Sequence, residues 1–99
     1  MKPKSKRLQE IAKITIPLLK KKGVKKAGIF GSYARGEQTS KSDVDMLIEV
    51  KGKKFSLFDL IGLEREIAEK LGLKVDLLTY GGINHRLRDI ILKEEVRIS

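Results

Sequence analysis

Cysteine is absent from this chain, which excludes disulfides, thiol catalysis and cysteine-ligated zinc. Tryptophan is absent too, and the aromatic complement is two Tyr and three Phe. A platform that stacks successive bases of a single strand needs more interleaved aromatics than that. The one histidine, His85, cannot define a metal site, no Ser-His-Asp triad can be argued from it, and the default for it is a surface residue. No apolar run approaches the about 18 residues of a membrane span, and the lysine-rich start lacks a signal-peptide core. These features predict a soluble, cytoplasmic protein. No internal repeat is visible. Ninety-nine residues, 40% of them hydrophobic, predict one domain over 1–99 with a core large enough to fold alone.

What is there is unevenly charged. Residues 1–26 carry ten Lys or Arg against a single acid, Glu10, whereas residues 27–99 carry twelve of each sign. The whole net charge of +9 therefore sits at the start. That stretch is either a solvated helix surface or a face for RNA or an acidic protein.

The run GSYARGEQTSKSDVDMLIEV, residues 31–50, is the most specific feature. Ala27-Gly28-Ile29-Phe30 reads as a strand delivering its end to a turn at Gly31-Ser32. Residues 32–35 open a short helix that Gly36 closes. Backbone N–H groups at such a turn favour anions, glycine permits close approach, and the Ser32 hydroxyl adds a donor. Taken alone, Gly-Ser is as easily a serine helix cap after a turn glycine. Ten residues on, Asp43-Val44-Asp45 opens a second strand. Residues i and i+2 of a strand share a face, so the Asp43 and Asp45 side chains lie about 7 Å apart. Their repulsion is about 2 kcal/mol at an effective dielectric near 20. A small domain gains nothing from that unless a cation offsets it. Magnesium prefers few carboxylates, several waters and phosphate oxygens. The pattern reads as a metal–nucleotide site.

Gly-Ser, ten residues and Asp-x-Asp, in GSYARG…SDVDMLIEV, resembles the nucleotidyltransferases of the DNA polymerase β superfamily. The short length is similar to its minimal nucleotidyltransferase group, and the resemblance covers essentially the whole chain. It implies a small mixed α/β fold of the polymerase β-like kind, with helices against the sheet. It also implies two magnesium ions held by Asp43, Asp45 and a third carboxylate from a later strand. Asp76, in Leu73–Thr79, matches, and by period-2 alternation it faces away from Val75 and Leu77. The resemblance implies transfer of a nucleotide, ATP by default, to an acceptor hydroxyl with pyrophosphate departing. Asp76 is the best-placed additional base. Gly31, Ser32, Arg35 and Ser42 are the nucleotide-side candidates. Arg35 either contacts phosphates or pairs with Glu37 or a site aspartate, and Ser42 either joins them or makes a local turn bond. Tyr33 is expected in helix packing, and Glu49 in solvent.

For Gly31-Ser32 and Asp43 to meet one nucleotide, their strands must be antiparallel. The strand holding Asp76 then runs parallel to that of Asp45, across a helical connection. A mixed three-stranded sheet follows. Leu8, Ile11, Ala12, Thr15, Leu18 and Leu19 predict a helix over about 5–22 with a kink or break at Pro17, ending at Gly23. Ser56, capped against Asp59, starts a helix whose buried stripe is Leu57, Leu60, Ile61, Ile67, Ala68 and Leu71, and Gly72 ends it. Ile83, Leu87, Ile90 and Ile91 make a third stripe with Asn84 as cap, and Val96-Arg97-Ile98 a short edge strand.

Minimal members of the superfamily look like halves of a two-protein system whose partner is a helical HEPN-domain toxin. Some resemble antitoxins that add AMP to a tyrosine of that toxin. The implied function is therefore a magnesium-dependent nucleotidyltransferase acting on a HEPN-type partner, in a homo- or hetero-oligomer. Two alternatives stay open: a scaffold antitoxin that neutralises by contact, and a basic nucleic-acid-binding module.

Overall fold

The computed structural model describes residues 6–50 and 55–99. The expected start of the first helix, at residue 5, lies outside them. Helix α1 spans Lys6–Lys21 and buries Leu8, Ile11, Ala12, Thr15, Leu18 and Leu19, the stripe its spacing requires. It runs unbroken through Pro17, so the expected break is not there. Proline removes one intrahelical donor and crowds the preceding turn. Here it sits on the exposed side, while Leu18 and Leu19 beyond it are buried in the core. One buried polar group, the Thr15 hydroxyl, donates to the Ile11 carbonyl at 2.8 Å.

Strand β1 spans Val24–Phe30, helix α2 Gly31–Arg35, strand β2 Val44–Val50, helix α3 Leu57–Leu71 and strand β3 Val75–Thr79. β1 and β2 are antiparallel, and β2 and β3 parallel, the directions expected from the sequence. The chain after β3 makes a 3-10 turn at Tyr80–Gly82, then helix α4 at Arg88–Glu94 and strand β4 at Val96–Arg97. β4, the short edge strand expected at 96–98, pairs antiparallel with β1 and adds a fourth strand to the expected three, in the order β3-β2-β1-β4.

Alternation gives the sheet two apolar faces of unequal size. Ala27, Ile29, Val44, Met46, Ile48, Val75 and Leu77 pack with the buried stripes of α1 and α3. The opposite face buries Leu47 under Ile83 and Ile91, flanked by Phe30 and Tyr80. The outer edge of β3 is partly closed, because the Leu77 N–H donates to Glu64 of α3 at 2.9 Å. Such capping protects a strand edge from pairing with other chains.

Two helices differ from their expected form. In α3 the Ser56–Asp59 capping box forms in both directions and Gly72 closes the helix in the left-handed region. Its inward line, however, is Leu60, Leu63, Ile67, Ala68 and Leu71. Leu57 and Ile61, at 69% and 48% exposure, point outward: Leu57 is the first residue of the helix, and Ile61 lies off the 3-4 spacing that Leu63 and Ile67 set. α4 is shorter than its apolar pattern, and Leu87 and Ile90 are exposed while Ile91 is buried. Asn84 does not cap it. Its side chain accepts from the Arg86 N–H at 2.9 Å, a local turn of the kind Asn favours, and α4 begins only after Leu87.

Candidate active site

The site lies where β1 ends and β2 and β3 begin. Asp45 is in register with Asp76 across the parallel β2–β3 ladder and with Phe30 across the antiparallel β1–β2 ladder. Both aspartates therefore leave the helix-packed face and point to the other side of the sheet. Asp43 stands one residue before β2 rather than inside it. Asp45 and Asp43 are half-buried and Asp76 is exposed.

Gly31 turns the chain directly against Asp45. Its φ of +76° is in the left-handed region, and a Cβ there would overlap the Asp45 carboxylate. Only glycine meets both conditions at once. Burial, then the charges of Asp76 and Asp43, push the Asp45 carboxyl up from 3.8 to about 6, with Arg35 acting in the opposite sense. A carboxylate crowded by like charge favours a proton or a cation.

These oxygen donors suit a hard divalent cation. Among the described residues, no three acidic or histidine side chains converge as a finished ligand set. An incomplete set of this kind would leave room for the waters and substrate oxygens that magnesium prefers. Asp43, Asp45 and Asp76 are the residues available to hold it.

The remaining expected residues divide. Ser32 lies within the first turn of α2, whose N-cap is Phe30, so it is no helix cap, and its hydroxyl makes no hydrogen bond among the described residues. Tyr33 is buried, anchoring α2 in the core. Ser42 makes the local bond: its Oγ accepts from the Thr39 N–H at 2.8 Å. In the same loop the Gln38 side-chain oxygen is buried without a hydrogen-bond partner among the described residues. Arg35 pairs with Glu37 through Nε at 2.6 Å and, through Nη1, with both oxygens of Glu94 at 3.0 and 2.8 Å. Glu37 was one of its expected partners; Glu94 was not foreseen. It is 59 positions away in a Lys-Glu-Glu run, and no local signal marks it. His85 is exposed and Glu49 half-buried.

A second polar knot lies farther along the same face. The Tyr80 hydroxyl donates to Glu95, and Glu95 rests against Gly28, where any Cβ would collide with it. Lys26 lies over the Tyr80 ring, 5.0 Å from its centre. Burial and the Glu95 carboxylate push the Tyr80 hydroxyl well above its usual range.

Residues 8–98 match the family model for the nucleotidyltransferase domain. A Methanocaldococcus jannaschii protein named as a protein adenylyltransferase is 50% identical over 91 residues, covering 92% of this chain and 97% of that one. A solved structure assigned as a minimal nucleotidyltransferase superposes with a TM-score of 0.79 at 29% identity, covering 97% of this chain and 95% of the other. The same fold, at 18% identity and a TM-score of 0.73 over 92% of this chain and 71% of the other, occurs in a structure of a tri-AMPylated Shewanella oneidensis HEPN toxin in complex with its MNT antitoxin. Matched by the family model over nearly its full length, the chain belongs to the nucleotidyltransferase domain family, as a minimal nucleotidyltransferase with the polymerase β-like fold.

Proposed function

We propose that this protein is a magnesium-dependent protein adenylyltransferase, a single domain over residues 1–99 that transfers AMP from ATP to a hydroxyl of a HEPN-type toxin. It thereby acts as the toxin's antitoxin in the cytoplasm. The observation that carries this reading is the Asp45–Asp76 register, with the Gly31 turn packed against Asp45. Support also comes from the adenylyltransferase relative and from the AMP-modified toxin found with a protein of the same fold.

In this reading Gly31 and Ser32 receive the phosphate chain, Arg35 meets its charge, and Ser42 shapes the loop leading to Asp43. The acceptor oxygen bonds to the α-phosphorus as the bond from that phosphorus to the β-bridging oxygen breaks, and pyrophosphate leaves. Asp76, exposed at the open side of the pair, accepts the hydroxyl proton directly or through water. Magnesium, when bound by Asp43, Asp45 and Asp76, supplies positive charge for the acceptor oxygen and the departing pyrophosphate. The chain's own contribution is position and charge, which is what phosphoryl-type transfer asks of a protein.

ATP labelled at the α- or the γ-phosphate distinguishes the chemistries when mixed with the protein, magnesium and the toxin. Adenylyl transfer labels the toxin only from the α position. Label from the γ position instead would assign phosphoryl transfer. A toxin neutralised without label would assign a binding antitoxin.

A further inference from the structure

We infer that Glu94 is a positioning residue for nucleotide binding: it fixes the Arg35 guanidinium so that the free Nη2 amino group is held for the nucleotide's phosphates. This rests on the adenylyltransferase reading above and adds to it a residue from the far end of the chain.

The geometry of one side chain carries the inference. A guanidinium has five donors in a rigid plane, so holding two of its nitrogens fixes where the third points. Glu37 takes Nε and Glu94 takes Nη1 with both of its oxygens. Nη2 makes no hydrogen bond among the described residues. The side chain stays 46% exposed, so those donors remain open to a ligand.

The brace is also what ties α2 to the rest of the molecule on that side. Five residues are too few for a helix to hold itself, and its N-cap makes no side-chain hydrogen bond. Tyr33 anchors α2 in the core, and the Arg35–Glu94 pair fastens its last residue to α4. Stability alone does not account for the arrangement. Exposed ion pairs contribute little, and a second acid on one guanidinium adds negative charge near Asp45. Two acids on a single arginine do fix its plane, which a recognition residue needs and a surface ion pair does not.

The test is calorimetric binding of magnesium with a non-hydrolysable ATP analogue, which needs no acceptor and no turnover. Glu94→Gln should weaken binding about fivefold or more, with little change in melting temperature, and Glu94→Asp should lie closer to wild type. In an Arg35→Lys background, whose ammonium has no plane to orient, Glu94→Gln should cost nothing further. The inference is overturned if Glu94→Gln binds within twofold of wild type, or more tightly. It is equally overturned if the loss is the same size in the Arg35→Lys background, since Glu94 would then act by general structure. Failure of the wild type itself to bind the analogue would remove the adenylyltransferase reading and this inference together, an outcome distinct from the other two.

Discussion

Asp45 and Asp76 occupy one register position of the parallel β2–β3 ladder, so two carboxylates 31 positions apart in the chain become lateral neighbours on one face. The α3 crossover makes this possible. A parallel pair needs a long connection, and α3 supplies it while burying Leu63 and Ile67 under the sheet. That connection brings like charges together, and burial, followed by the charges of Asp76 and Asp43, raises the Asp45 carboxyl.

That shift has a signed consequence for stability. With a folded pKa of about 6 against an ordinary 3.8, the folded state holds the Asp45 proton more tightly than the unfolded chain does. Stability from this group falls as pH rises from about 4 to about 6, and the penalty is fully present at pH 7. Without metal, Asp45→Asn should be more stable than wild type at pH 7 by about 1 kcal/mol, after discounting for a half-exposed group. The difference should vanish below about pH 4. Urea melts of both proteins across pH check it, and added magnesium should stabilise wild type more than the variant.

Gly31→Ala should fail on two counts, a side chain at φ +76° and a Cβ against the Asp45 carboxylate. The expected loss is about 1–3 kcal/mol, together with loss of nucleotide binding. Gly62→Ala is the contrast. Gly62 sits inside α3 with open space around its Cβ position, so alanine should stabilise by up to about 1 kcal/mol. Thermal melts and calorimetry on the pair separate the two glycines.

Ser56→Ala removes one half of the α3 capping box and should cost about 1 kcal/mol. The cap lies at the opposite end of the crossover from Asp76, so label transfer at a temperature well below melting should be unchanged. A fall in transfer without a fall in stability would contradict this.

Tyr80→Phe should leave the Glu95 carboxylate without its hydroxyl donor beside Gly28. An unpaired, part-buried carboxylate costs about 1–3 kcal/mol. Its release should loosen α4 and β4, read as faster amide exchange at Ile98 and Ser99, whose N–H groups donate to the Ala27 carbonyl.

Much of this was legible in the sequence, for physical reasons that can be named. The turn at Gly31 and the two aspartates are local, so their spacing alone places them. The antiparallel and parallel pairings follow from requiring Gly31-Ser32, Asp43 and Asp76 to meet one nucleotide. The α1 stripe was readable because 3.6-residue periodicity over sixteen residues outweighs one proline. The α3 stripe departs from its periodicity at Leu57 and Ile61, since a single sequence shows which residues are apolar but not which of them the sheet will cover. β4 is readable as a short edge strand, but its place beside β1 depends on the tertiary fold. Glu94 was out of reach for the same reason: only the packing of α4 across the second face brings it to Arg35.

The most direct test of the central claim is the intact mass of the HEPN-type toxin after incubation with this protein, magnesium and ATP, with Asp45→Asn and Asp76→Asn run in parallel. Wild type should add one or more adenylyl groups to the toxin, and each variant should add them at least about a hundredfold more slowly. An unmodified toxin with wild type, or equal modification with the variants, would contradict the assignment of the Asp45–Asp76 pair as the catalytic site.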